Sequence, residues 1–157
     1  MNKKFGIGIL TWALIAVNAA YAVPTMQPFE PDAVAVSAKA ETKDAVTLSI
    51  SRKTIGGTDI ISPTSFKVEA DSTVWTVLQK ALDEKGMDYE YTYSKESNDL
   101  YVTSIDGVKS GANGPMSGWM FSLNGKYIQD SANKVKVVEG DIIEWKYTKD
   151  GGKDIGA

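Results

Sequence analysis

Few side chains in this sequence could carry out covalent chemistry. Ser131 and Lys134 have the S-x-x-K spacing of serine acyl-enzymes, in which a lysine stands beside the serine nucleophile. That chemistry also needs a serine at the start of a helix and a K-T-G strand, but residues 53–56 read K-T-I-G. The motif falls in a polar connection between predicted strands. We therefore expect Ser131 and Lys134 to be structural rather than catalytic.

Most other catalytic chemistry is excluded by composition. The 157 residues include no histidine and no cysteine, which rules out a Ser-His-Asp triad, a Cys-His pair and any imidazole or thiolate zinc site. No phosphate-binding glycine motif is present. Asp141, Asp150 and Asp154 could bind calcium weakly, although their spacing is not that of a calcium loop. We expect a protein that is not an enzyme and that holds no metal or cofactor.

The N-terminus has the pattern of a secretory signal. Lys3 and Lys4 precede an apolar run over residues 5–17, and Ala20-Tyr21-Ala22 matches an A-x-A cleavage site. The run is too short to cross a bilayer comfortably. We predict that residues 1–22 are a signal peptide cleaved near Ala22. The mature protein would be secreted, extracellular or periplasmic, without a membrane span.

The rest of the chain divides into a leader and one domain. Residues 23–43 contain Pro24, Pro28 and Pro31 and show no sustained periodicity, which favours an extended leader. Residues 44–157 form the predicted domain, which must fold without disulfides. Loss of the signal would remove two lysines and no acid from 17 basic and 20 acidic residues. This acidic balance argues against nucleic acid as a partner.

Periodicity predicts one helix in this domain. Apolar residues at i, i+3, i+4, i+7 and i+8 form a single stripe, made of Val74, Val77, Leu78, Ala81 and Leu82. Asp71 or Ser72 could cap the helix at its N-terminus. Gly86 is placed to end it in a left-handed conformation. Trp75 lies beside the stripe, where it would either cover the edge of the core or serve as a platform for a ligand.

Alternation with a period of two predicts the strands. They are expected at residues 46–50, 66–68, 87–93, 100–105, 119–123 and 142–148, with a short strand at Val135 and Val137. A connector at residues 60–63 separates the first two. Trp119 and Phe121 should face the core, whereas a one-residue slip would bury Met120 instead. The class is α+β, a mainly antiparallel sheet packed on one α-helix.

The last third of the chain resembles a known family. Residues 117–121 read S-G-W-M-F, residues 124–126 read N-G-K, residues 140–147 read G-D-I-I-E-W-K-Y, and residues 152–156 read G-K-D-I-G. Together these segments resemble the transcobalamin-like C-terminal domain, over roughly residues 45–156. The resemblance implies a β-grasp-like fold. It also implies a secreted, non-enzymatic ligand-binding module, with cobalamin or another corrinoid as the first candidate ligand.

The candidate ligand-binding residues surround the glycine-rich loop at residues 109–117 and the hairpin that follows it. They are Asn113, Ser117, Trp119, Met120, Asn124 and Tyr127. Aromatic and methionine side chains beside exposed backbone suit a flat, amphipathic corrin. Tyr93 could belong either to the core or to an aromatic floor. The alternative function is an extracellular module of the cell envelope that binds a protein or a glycan.

Overall fold

The computed structural model describes residues 44–157. The predicted signal peptide and leader lie outside this range. No helix within the range has the length and the apolar character needed to cross a membrane.

Eight strands form two sheets, where the sequence pattern predicts one. The strands are β1 (Ala45–Ser51), β2 (Asp59–Lys67), β3 (Tyr89–Ser94), β4 (Asp99–Ile105), β5 (Val108–Lys109), β6 (Gly118–Leu123), β7 (Lys126–Tyr127) and β8 (Ile142–Thr148). The larger sheet has the order β2-β1-β8-β6-β7, and the smaller has the order β3-β4-β5. With one α-helix, α1 (Val74–Lys85), this is an α+β domain. Short 3-10 helices lie at Lys53–Ile55 and Lys153–Ile155.

The first and last strands meet at the centre of the large sheet. β1 and β8 are parallel, and Leu48 pairs with Ile143 and Ile50 with Trp145. The other strand pairs described are antiparallel. All four of these side chains are buried, because a period of two puts them on the same inner face of the sheet.

The register of β6 against β8 confirms which face of the hairpin is buried. Trp119 pairs with Tyr147 and Phe121 pairs with Trp145, and all four are buried. The ring centroids are 5.2 Å apart in the first pair and 5.1 Å apart in the second. These contacts fix the register, because a one-residue slip would move both aromatic side chains of β6 to the opposite face.

The helix begins later than the sequence pattern predicts. Its N-cap is Thr73, not Asp71 or Ser72. Thr73 has an extended backbone, and its Oγ1 accepts a hydrogen bond from the Thr76 N–H at 3.3 Å. The Thr76 Oγ1 accepts one from the Thr73 N–H at 2.8 Å, which completes a reciprocal capping box. Ser72 instead accepts a hydrogen bond from the Glu69 N–H at 2.9 Å.

The remainder of the helix prediction is confirmed. All five residues of the apolar stripe are buried. Gly86 ends the helix with a φ of 63°. Trp75 is buried at the edge of the core and packs against Tyr89 and Tyr91, with centroid distances of 5.8 and 4.7 Å.

Three strand predictions were wrong in detail. The connector at residues 60–63 belongs to β2, which pairs with β1 through two irregularities of register. The short strands β5 and β7 were missed, because two residues are too few to show alternation. Val135 and Val137 do not form a strand. Between them Lys136 makes an isolated bridge to Thr73, and the Val135 carbonyl accepts a hydrogen bond from the Val74 N–H at 2.9 Å.

The capping box gives a direct test of the helix start. Replacement of Thr73 by alanine should lower the free energy of unfolding by about 1 kcal/mol, because the Thr76 N–H loses its acceptor. Thr73→Ser keeps the hydroxyl and should recover most of that loss. Both values can be read from urea unfolding followed by circular dichroism. Equal stability of Thr73→Ala and the wild-type protein would contradict this assignment of the cap.

Candidate functional site: a cleft between the two sheets

A cleft of about 500 Å³ lies where β4 of the small sheet approaches β6 of the large one. Its walls come from these two strands and from the segment at residues 128–132, and Trp145 of β8 also lines it. The apolar lining is formed by Leu100, Val102, Trp119, Phe121, Ile128 and Ala132. The volume lies within the roughly 300–1,000 Å³ that is usual for small-molecule sites.

The segment at residues 128–132 is fastened to β4 by Ser131. The Ser131 Oγ accepts a hydrogen bond from the Leu100 N–H at 2.7 Å and lies 2.9 Å from the Leu100 carbonyl oxygen. The side chain of Asn133 adds a hydrogen bond from its Nδ2 to the Asn98 carbonyl at 3.0 Å. These contacts hold one wall of the cleft against another.

Lys134 reinforces the same junction. Its ammonium lies 2.6 Å from the Asp99 Oδ1 and donates to the Ser97 carbonyl at 2.9 Å. The hydrogen bond with Asp99 raises the pKa of Lys134 above its ordinary value and lowers the pKa of Asp99. A lysine held in its charged form is a poor general base. Ser131 and Lys134 therefore both contribute contacts that hold this segment against β4.

Two tryptophans line the cleft, and only one of their indole N–H groups has a hydrogen-bond acceptor among the described residues. The Trp119 Nε1 donates to the Val108 carbonyl at 2.8 Å. The Trp145 Nε1 is buried and has no acceptor among the residues that the structure describes. The polar part of the lining comes from Asp99, Gln129, Asp130 and Ser131, and no lysine or arginine lines the cleft.

Two of the six candidate residues border this cleft. Trp119 contributes its buried ring, at 4% exposure. Met120 also borders the cleft. Its sulfur, however, packs towards the C-terminal tail, 3.1 Å from where a Cβ on Gly152 would lie. Neighbours in a strand face opposite sides of a sheet, which separates these two side chains.

Asn113 and Ser117 belong to a different group, around the buried hydroxyl of Tyr147. That hydroxyl donates to the Lys109 carbonyl at 2.8 Å and lies 3.0 Å from the Ser117 Oγ. The Asn113 Nδ2 donates to it at 3.3 Å. The Gly111 N–H donates to the Ser117 carbonyl at 2.8 Å. Asn113 and Ser117 therefore fold the glycine-rich loop onto the end of β8.

Asn124 and Tyr127 lie apart from both groups. Asn124 and Gly125 form the predicted turn, with φ angles of 52° and 79°. The Asn124 side chain donates to Asp141 at 2.8 Å and accepts from the Ile142 N–H at 2.9 Å. The Tyr127 hydroxyl donates to the Ile155 carbonyl at 3.0 Å. The six candidates thus occupy several places, and their role in binding a ligand stays a prediction.

The cleft depends on residues that the sequence alone did not single out as functional. Phe121 was assigned only to the core, and Trp145, Leu100, Gln129 and Asp130 were not considered for a site. The one feature of the sequence that could have indicated this site is Trp145, a tryptophan on the inner face of the last strand. Nothing in the local sequence shows that residues 128–132 pack against β4, because that contact joins segments about thirty residues apart.

The three carboxylates considered for calcium do not converge. Asp141 lies just before β8, whereas Asp150 and Asp154 follow its other end. Within residues 44–157 no group of three or more acidic side chains is arranged to hold a metal ion. Asp154 instead anchors the C-terminal tail. It accepts hydrogen bonds from the Thr148 hydroxyl and, at 2.9 Å, from the Lys149 N–H.

The sequence matches a known protein family over the part of the chain that forms the cleft. A family model described as a domain of unknown function, DUF4430, matches residues 71–149, half of the sequence. The chain belongs to this family. The match covers α1, the small sheet and strands β6 to β8, which include every strand that lines the cleft.

The fold is similar to part of a solved structure, that of haptocorrin. The crystal structure of haptocorrin in complex with Cbi aligns with a TM-score of 0.54 and 19% identity, over 70% of this chain and 26% of that one. The chain therefore spans about a quarter of the length of haptocorrin. At this identity the likeness supports a transcobalamin-like fold and nothing finer.

A second structure shows weaker likeness. It is a protein of Ruminococcus gnavus ATCC 29149, described provisionally as metal binding, with a TM-score of 0.45 and 15% identity over 68% of this chain and 97% of that one. No curated protein matches the sequence.

The hydrogen bonds that Asp154 accepts predict that the stability of the protein depends on pH. The hydrogen bond from Thr148 lowers the pKa of Asp154 below its ordinary value of 3.8. The stability contributed by the carboxylate is therefore complete above the pKa of the unfolded chain and is lost as the pH falls through the folded-state pKa. Asp154→Asn should be less stable than the wild-type protein at neutral pH, and the difference should shrink below about pH 4.

Thermal unfolding of both proteins between neutral and acidic pH checks this prediction. The comparison with Asp154→Asn cancels the titration of other carboxylates, such as Asp59 and Asp71, whose pKa values are lowered by hydrogen bonds to lysines. A stability difference that did not change with pH would contradict a role for the charged form of Asp154.

Proposed function

We propose that this domain is a secreted, non-enzymatic binding module for a small molecule, and that the cleft beside Trp119 is its ligand site. The observation that carries the proposal is the make-up of the cleft. Apolar and aromatic side chains surround a space of about 500 Å³, and a small number of polar groups border it. This combination is the usual form of a small-molecule site, in which apolar area supplies affinity and a few polar atoms fix orientation.

A corrinoid is the ligand that we propose first. The hairpin and tail segments resemble those of the transcobalamin-like domain, and the solved haptocorrin complex contains Cbi. On this proposal the fold is a variant of the β-grasp. The cleft would take one edge of the ligand, with Trp119 as the aromatic surface. Histidine is absent from the sequence, so an imidazole ligand to cobalt would have to come from elsewhere.

The corrinoid proposal is tested by titration with hydroxocobalamin, followed by absorbance and calorimetry. We expect saturable binding near micromolar concentration. Trp119→Phe should weaken it several-fold, because part of the aromatic surface is lost, a change of about 1 kcal/mol. Trp75→Phe is the matched control, since Trp75 is also a buried tryptophan but does not line the cleft.

The outcomes separate the ligand from the site. No binding at about millimolar ligand, a free energy weaker than about −4 kcal/mol, would rule out a corrinoid for this chain alone. Binding that Trp119→Phe and Trp75→Phe weaken equally would show that the ligand lies outside the cleft.

A second function, an interaction module of the cell envelope, is favoured by an exposed aromatic surface. Tyr91 and Tyr93 are 47 and 49% exposed and lie two residues apart on the same face of β3. β3 is an edge strand of the small sheet in the described part of the chain. Tyrosine is enriched at protein interfaces, because its ring packs while its hydroxyl stays solvated.

This alternative predicts that a partner depends on the tyrosines of β3. The wild-type protein should recover an envelope protein in a pull-down without added ligand, and Tyr91→Ser with Tyr93→Ser should lose it. Val138→Ser is a suitable control, because Val138 is an exposed apolar residue outside this surface. Equal recovery by all three proteins, or recovery of nothing at high protein concentration, would count against the interaction module.

A further inference from the structure

Trp145 lines the cleft, and its indole N–H is a buried donor that has no acceptor among the described residues. Trp145 is 3% exposed, and its Nε1 is one of two buried polar side-chain atoms in residues 44–157 that have no hydrogen-bond partner. The other, the Ser110 Oγ, does not line the cleft. A buried donor without an acceptor destabilises the fold, so such an atom calls for an explanation. Trp119, on the neighbouring strand, does have an acceptor.

The lining of the cleft indicates what kind of acceptor could reach this donor. Leu100, Val102 and Phe121 make the surroundings apolar, and no cationic side chain lines the space. A carboxylate there would lose its hydration without gaining a counter-charge. Asp130 borders the cleft and would repel it further, whereas the charge of Asp99 is paired with Lys134. A neutral carbonyl oxygen loses less hydration than a carboxylate, can be satisfied by one donor and is not repelled by Asp130.

We propose that the Trp145 Nε1 anchors the carbonyl oxygen of a neutral carboxamide, and that the cleft selects carboxamides over carboxylates of the same shape. The apolar body of the ligand packs against Phe121 and Leu100. Gln129 and Asp130 offer oxygen acceptors for the amide N–H groups. This inference rests on the proposed use of the cleft as a ligand site and adds the chemical class that the site accepts.

The probes for the test are benzamide and benzoate, which differ in charge and hydrogen bonding but hardly in shape. Binding to the purified chain is followed at neutral pH through the indole N–H signals in ¹H–¹⁵N spectra, and Trp145→Phe identifies the signal of Trp145. We expect benzamide to shift that signal saturably and the Trp119 signal less. Benzoate should bind roughly tenfold more weakly, since it is charged and finds no cation.

Two variants extend the test. Trp145→Phe keeps an aromatic ring and removes the donor, so benzamide affinity should fall roughly three- to tenfold, the usual effect of one hydrogen bond. Asp130→Asn removes a negative charge at the border of the cleft and should narrow the preference for benzamide over benzoate. If Trp145→Phe fails to fold, the comparison of the two probes on the wild-type protein still decides, with Asp130→Asn as the second variant.

The outcomes distinguish this inference from the proposed function. Equal binding of benzamide and benzoate, or unchanged benzamide affinity in Trp145→Phe, would overturn the inference and leave the cleft as a binding site. Selective binding of benzamide without binding of hydroxocobalamin would support the inference and rule out a corrinoid as the ligand. Failure of both probes and of hydroxocobalamin to move the Trp145 signal would overturn the inference and the proposed site together.

Discussion

The pairing of the first strand with the last is the contact on which the other features of this domain depend. β1 and β8 lie side by side at the centre of the large sheet although almost a hundred residues separate them. Closing so long a loop is entropically costly, and the burial of Leu48, Ile50, Ile143 and Trp145 helps to offset that cost. The pairing also places β8 so that β6 can join its other edge. Trp145 reaches the cleft only because both pairings hold.

The cleft results from the way in which the two sheets meet. β4 and β6 approach each other without hydrogen-bonding as neighbours in one sheet, and residues 128–132 close one side of the space between them. Ser131 and Lys134 fasten this segment to β4 through backbone groups and a paired charge. A serine and a lysine with the spacing of a catalytic motif thus help to form one wall of the cleft. This distinction needed the positions of their partners, which a motif does not contain.

Local patterns predicted much of the fold and less of the site. Alternation identified the inner face of β6, and the 3.6-residue period identified the buried stripe of α1, because each pattern reports a face that meets the core. The N-cap is Thr73 rather than the predicted Asp71 or Ser72. All three residues have side chains that can cap a helix, and only the backbone conformation distinguishes between them. The division into two sheets was not predicted. β5 is too short to show an alternating pattern, and nothing in its local sequence indicates that it joins β4 rather than the large sheet.

The candidate site residues show why neighbours in sequence need not act together. Asn113 and Ser117 satisfy the hydroxyl of Tyr147, Asn124 fixes a turn, and Tyr127 holds the tail, so each is already engaged within the fold. A donor that is already satisfied internally must break its hydrogen bond to bind a ligand, whereas the Trp145 N–H has no partner to lose among the described residues. An acceptor that reached that donor would therefore cost the fold no hydrogen bond. This difference makes Trp145 a better candidate for a ligand contact than the polar residues of the hairpin.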